Sequence, residues 1–148
     1  MSSLVEVNTF ENTKIQNVVL YLFVQSGNYI LTVTERSGRV GFPSGRVEKG
    51  DHNIFKSIKR EFKEETGHEM PIIENIRRFI YKESTAIYVA KTSNKIPTRL
   101  GPKSDGEIIS IRLTKISDIK KSLNGKANFT LRSCAHKSTL ELFNILGQ

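Results

Sequence analysis

Gly45 to Gly67 reads GRVEKGDHNIFKSIKREFKEETG, and the second half of this stretch decides the fold. At a helical pitch of about 100° per residue, Glu61, Glu64 and Glu65 share an arc of roughly 100° on one face. Like charges at that spacing destabilise a bare helix by about 0.2–0.5 kcal/mol per pair, so a cation is expected to compensate them. Oxygen-only carboxylate ligands suit Mg²⁺ or Mn²⁺, hard ions that sit between protein carboxylates and the phosphates of a substrate. Beside the acids, Ile54, Phe55, Ile58 and Phe62 recur at i, i+1, i+4 and i+8. Such a stripe must pack on a core. Gly41-Phe42-Pro43-Ser44-Gly45 is expected to form a loop ahead of the helix, its glycines permitting close backbone approach to a ligand, and Gly67 to cap the far end. Taken alone, REFKEE reads equally well as the solvated acidic face of a surface helix. The stripe and the flanking glycines favour a site.

Arg60-Glu61-Phe62-Lys63-Glu64-Glu65-Thr66-Gly67 resembles the second half of the Nudix box, Gly-x5-Glu-x7-Arg-Glu-U-x-Glu-Glu-x-Gly-U with U apolar. The first half departs from that pattern. Gly45 and five further residues lead to Asp51 where the box has Glu, eight residues rather than seven separate Asp51 from Arg60, and His68 takes the closing apolar place. A one-residue insertion near the helix start accounts for the spacing. It bears on the pairing of Asp51 with Arg60 and leaves the three glutamates in register. The resemblance implies an α/β fold, the Nudix αβα sandwich with a central mixed β-sheet, over a single domain spanning residues 1–148. It also implies a hydrolase of a nucleoside diphosphate linked to another group. Glu61, Glu64 and Glu65 would hold Mg²⁺ or Mn²⁺, with the Gly45 carbonyl as a further ligand, and Arg60 would orient the carboxylates. Glu65 and Arg60 count among the catalytic residues.

A second, shorter resemblance is to the mRNA-decapping Nudix enzymes. Gly41-Phe42-Pro43-Ser44-Gly45-Arg46 is similar to their Gly-Phe-Pro-Lys-Gly-Lys. The run Asp105-Gly106-Glu107-Ile108-Ile109 resembles the stretch that supplies them with a catalytic Glu. This likeness implies Glu107 as the base, Arg46 and Phe42 as substrate contacts, and capped RNA as substrate. Nucleoside triphosphates, dinucleoside polyphosphates, ADP-ribose and diphosphoinositol polyphosphates stay open as alternatives. So does a non-catalytic RNA-binding module on the same fold.

The chain has 148 residues, 37% of them hydrophobic and 26% charged, the balance of a water-soluble globular protein with a real core. A net charge of +8 and a pI near 9.7 favour a polyanionic partner: RNA, a nucleotide or an inositol polyphosphate. Lys91 to Gly106 is a long basic loop in which Lys95, Arg99 and Lys103 are candidate phosphate contacts. Lys120, Lys121 and Lys126 could extend such a track, and Tyr29, Tyr81, Tyr88 and Phe42 are the aromatic choices for a base platform. No apolar run approaches membrane-span length, the N-terminus lacks a signal-peptide plan, and the one cysteine, Cys134, excludes an internal disulfide. An intracellular, cytoplasmic setting is expected. Richness in Lys, Ile and Asn fits an AT-rich genome, as in many viruses. Cys134 reads as an inert thiol, because no helix start or Cys-x-x-Cys marks it as activated. Oligomeric state is left open.

In chain order, residues 1–14 are expected to be mobile or an edge element. Ile15 to Val24 is expected as a central strand, being apolar throughout, and Tyr29 to Thr34 as its hairpin partner. Ile72 to Tyr81, Thr85 to Lys91 and Glu107 to Leu113 follow as strands, and Ser117 to Leu123 as a short helix. Ser138-Thr139-Leu140-Glu141 is read as the capping-box start of a terminal helix.

Overall fold

The computed structural model describes residues 3–10, 14–51, 53–96, 108–126 and 129–148. Its strands are β1 (Leu4–Val7), β2 (Asn17–Val24), β3 (Tyr29–Glu35), β4 (Val40–Gly41), β5 (Ser44–Arg46), β6 (Glu74–Tyr81), β7 (Thr85–Lys91) and β8 (Ile108–Lys115); its helices are α1 (Ile54–Thr66), α2 (Ile116–Leu123) and α3 (Ser133–Leu146). The strands form one mixed sheet in the order β1-β6-β7-β2-β3-β4, with β5 joined to β2 and β8 to β3. β2 runs parallel to β7 from Asn17↔Thr85 to Phe23↔Lys91 and antiparallel to its other neighbours.

β2 is apolar at nearly every position because both of its faces are covered. Tyr21 and Phe23 point with Phe79, Ile87 and Val89 towards Ile116 and Ile119 of α2 and Leu142 and Phe143 of α3. Leu20, Leu22 and Val24 point the other way, with Ala86, Tyr88 and Leu31, towards Ile58 and Phe62 of α1. Side-chain alternation along a strand thus makes two apolar layers, one on each face of the sheet. The result is the expected αβα sandwich. Burying Ile58 and Phe62 contributes roughly 1.5–3 kcal/mol each to holding α1 in place.

α1 begins at Asn53, whose Oδ1 accepts from the Lys56 N–H at 2.8 Å, and ends at Gly67, left-handed at φ 77°, whose N–H donates to Lys63 O. The expected helix, stripe and glycine stop are all present. Residues 4–7 form the edge element, antiparallel to β6.

Two expectations about local structure are corrected. The Gly41–Gly45 stretch is not an open loop: Val40–Gly41 and Ser44–Arg46 pair with β3 and β2 respectively, drawing the glycines into the sheet. α3 starts at Ser133, not Ser138, because Arg132 N–H donates to Val40 O and Val40 N–H to Thr130 O, fixing the chain where the helix opens. Ser138 is instead inside the helix, its Oγ donating to Ala135 O and lying 3.4 Å from Tyr21 Oη. Cys134 therefore does lie in the first turn of a helix, contrary to expectation; its side chain is outside the described set.

Candidate active site

Arg60 organises the box. Its Nε and Nη2 donate to Asp51 Oδ1 and Oδ2, both at 3.1 Å, a two-pronged pair that survives the one-residue insertion. Asp51 also accepts from the Ser57 hydroxyl at 2.7 Å and the Glu48 N–H at 2.8 Å. The guanidinium holds the Asp51 carboxyl far below the usual carboxylate range, and Asp51 in turn raises Arg60. The other prong of Arg60, Nη1, donates to Glu61 Oε1 at 2.9 Å and Glu64 Oε2 at 3.1 Å, while Nη2 also reaches Arg46 O. Asp51 is thus the partner of Arg60, and Arg60 gathers two of the three glutamates.

Glu65 is held differently. Its Oε1 accepts from the Ser44 N–H at 3.0 Å, on β5. Burial pushes its carboxyl up to about 7, against the opposing pull of the Ser44 N–H and of Arg132. Burial also raises Glu61, with Arg60 pulling the other way. Glu64, with 46% of its side chain exposed, is the outermost of the three.

β5 meets these acids through its backbone. Pro43 O accepts from the Leu20 N–H and the Val47 N–H donates to Gln16 O, so odd-numbered residues turn their peptide groups to β2. Ser44 N–H and Arg46 O point instead to α1. By that alternation the Ser44 peptide groups face the glutamates, while Gly45, expected to lend its carbonyl as a ligand, turns its peptide groups towards β2. Gly45 supplies space: a Cβ there would lie 2.0 Å from Glu61 Cδ.

Among the described residues, no three His, Cys, Asp or Glu side chains converge as a metal-ligating cluster, since Glu61 and Glu64 turn onto Arg60. The donor set still fits a hard divalent cation. Two carboxylates that burial drives towards protonation lie against one stretch of strand, with oxygen donors only, and a cation is what would keep both ionised.

On the other face of β5 lies a cavity of about 630 Å³. Its floor is Val18, Val19, Tyr21, Phe42, Tyr81 and Ile87, and its cations are Arg46, Lys82, Arg132 and Lys137; among the described residues, no Asp or Glu lines it. Arg132 sits where cavity and carboxylates meet, Nη1 donating to Ser44 Oγ at 3.3 Å and Nε 3.6 Å from Glu35 Oε1.

Of the expected substrate contacts, Arg46 lines this cavity. Phe42, also an expected substrate contact, is a core residue that touches the cavity: only 2% exposed, it packs tilted on Tyr21 with ring centroids 4.3 Å apart. Tyr88 is likewise buried between Phe10 and Phe55. Lys95 is not brought to the site. The cavity touches Thr85 and Ile87 at the start of β7, whereas Lys95 follows its far end. There Thr92 Oγ1 donates to Ile72 O, and Lys95 lies beside Met70 and Ile72. Lys120, Lys121 and Lys126 belong to α2 and its C-terminal turn, away from the cavity lining. Arg99, Lys103, Glu107 and His52 lie outside the described residues. Sequence reasoning missed Arg132, Lys82 and Lys137. The one signal was Gly41, where a Cβ would meet Arg132 Nε at 2.3 Å, but nothing in the sequence named its distant partner.

The NUDIX domain family model matches residues 13–133. The chain belongs to the Nudix superfamily. No curated protein sequence matches it. Similar solved structures include a mutant of the Bacillus subtilis pyrophosphohydrolase BsRppH, 16% identical with a TM-score of 0.62, covering 97% of this chain and 90% of that one. The NUDIX domain of Shewanella oneidensis NrtR, complexed with ADP ribose, is 15% identical with a TM-score of 0.58, covering 93% and 90%. The MutT protein of Methanosarcina mazei Go1 is 20% identical with a TM-score of 0.56, covering 90% and 95%. At these identities the neighbours speak for the Nudix fold alone. No helix of the described residues is long and apolar enough to cross a membrane.

Proposed function

We propose that this Nudix hydrolase is Mg²⁺- or Mn²⁺-dependent and cleaves a diphosphate linkage in the 5′ cap of RNA, releasing m7GDP inside the cell. The observation that carries the reading is the junction at Ser44, where the buried Glu65 carboxylate meets a cavity with four cations and, among the described residues, no acid. In water, a cavity of that charge favours a substrate with negative groups on both sides of the scissile bond.

Glu61, Glu64 and Glu65 would hold the metal, with the Ser44 carbonyl facing it. A divalent ion bound there supplies charge neutralisation and lowers the pKa of water. Arg60, locked on Asp51, keeps Glu61 and Glu64 at one edge of β5. Glu107 is proposed as the base that takes the proton from the attacking water. The new bond is from water oxygen to phosphorus, and the bridging P–O bond breaks, its electron pair leaving on the departing phosphate. The +8 charge supports a long anionic substrate through sequence-independent phosphate contacts.

A second reading, a small-molecule pyrophosphatase, is favoured by the cavity itself. Its volume of about 630 Å³ suits a single nucleotide-sized group, and Lys95 lies away from it. The deciding experiment offers cap-labelled RNA, free cap dinucleotide, nucleoside and dinucleoside polyphosphates, ADP-ribose and a diphosphoinositol polyphosphate, each with Mg²⁺ and Mn²⁺. Release of m7GDP from capped RNA but not from the dinucleotide is expected. Turnover of the small substrates alone would move the enzyme to nucleotide or inositol-phosphate chemistry. Metal binding without any turnover would make it a binding module.

A further inference from the structure

Arg132 is far from the box in sequence yet placed against it. Hydrogen bonds from Arg132 N–H to Val40 O and from Val40 N–H to Thr130 O hold its backbone beside β4. The side chain then lies across Gly41, where no Cβ could be accommodated without displacing it. Only 18% of the side chain is exposed, and it lines the cavity.

Its described partners do not exhaust it. Nη1 has the Ser44 hydroxyl, but Nε and Nη2 are buried without a hydrogen bond, and so is Glu35 Oε1 opposite. The 3.6 Å separation from Glu35 gives charge contact without a hydrogen bond. Leaving a desolvated charged donor unpaired costs more than the roughly 1–3 kcal/mol of a neutral one. The planar fork of a guanidinium matches two oxygens of one phosphate, and Ser44 puts it one residue from the strand position that meets Glu61.

We propose that Arg132 is a substrate-binding residue that donates to a phosphate of the substrate where the carboxylate cluster opens into the cavity. Lys82, Lys137 and Arg46 then line the path of the group attached to that phosphate. The proposal rests on the reading of this site as a metal-dependent diphosphate hydrolase. It names a role that the box residues do not fill.

The test is a calorimetric titration of inorganic pyrophosphate into the full-length protein with saturating Mg²⁺, for wild type, Arg132→Ala and Arg132→Lys. Mg²⁺ affinity is measured in parallel. Loss of two charge-assisted bonds predicts that Arg132→Ala weakens pyrophosphate by about 10-fold or more at unchanged Mg²⁺ affinity. Arg132→Lys keeps the charge beside Glu35 without the fork and is expected in between; it also decides the matter should the alanine variant not fold. Unchanged pyrophosphate affinity in a folded variant overturns the proposal. A loss matched by an equal loss of Mg²⁺ affinity also overturns it, by making Arg132 a support for the carboxylates. A wild type that binds Mg²⁺ but no pyrophosphate overturns the hydrolase reading as well.

Discussion

Glu65 carries the conflict of this site in one side chain. Burial raises its carboxyl to about 7 from an ordinary value of 4.5. The folded state therefore binds the proton more tightly than the unfolded state does. Without metal, the contribution of Glu65 to stability is greatest below about pH 4.5 and is lost as pH rises through 7. Glu65→Gln removes that penalty while keeping an acceptor for the Ser44 N–H. We expect the variant to melt higher than wild type in metal-free buffer, with the gap widening from pH 5 to pH 8 in thermal scans, and to lose at least ~100-fold in turnover. The metal must displace the same proton. Apparent Mg²⁺ affinity should rise up to about 10-fold per pH unit below 7 and level off above it, as read by titration calorimetry in two buffers. A flat profile would remove Glu65 from the ligand set. Gly45→Ala drives a methyl group into Glu61, so a stability loss of about 1–3 kcal/mol with weakened Mg²⁺ binding is expected.

Between elements, the pair that ties the loop before α1 to the helix is Asp51 with Arg60. Asp51→Asn removes the charge that takes the two-pronged bond of the guanidinium, leaving it Glu61 and Glu64, and should cost roughly 2–3 kcal/mol in urea unfolding. Because the folded carboxyl is held so low, wild type should lose this contribution only as pH falls below about 4, and the variant should show a shallower acid limb. α1 was legible in the sequence because its evidence is local: an apolar stripe, three acids on one arc and a terminal glycine all lie within a few turns. Asp51 was harder to read, since a spacing rule counts residues while the Arg60 side chain answers to distance. The cavity was not legible. Arg132 and Ser44 are 88 positions apart, and what joins them is a parallel bridge between Val40 and Leu131 that no periodicity announces. The 41–45 stretch was misread as a loop for a related reason: its glycines look like loop residues until the pairing of β4 with β3 and of β5 with β2 draws them into the sheet.

For the whole molecule, net charge and cavity charge make separable predictions. A +8 chain gripping RNA releases counterions, so KM for capped RNA should rise steeply between 50 and 200 mM salt. A small substrate that meets only the four cations of the cavity releases fewer counterions and should show a much weaker dependence. Parallel slopes for both substrates would show that the cavity alone does the binding and that the outer lysines are solvated bystanders. The sandwich also assigns its duties to distant parts of the chain. The acids come from residues 61–65 on one side of β5, and most of the cavity cations from residues 82–137 on the other. Ser44 serves both, its N–H facing Glu65 and its hydroxyl facing Arg132. Under the proposed reading, catalysis and selectivity fall largely to different segments of the chain. A library that varies the first turns of α3 and the β6–β7 turn while holding residues 44–67 fixed should retarget this enzyme without rebuilding its chemistry.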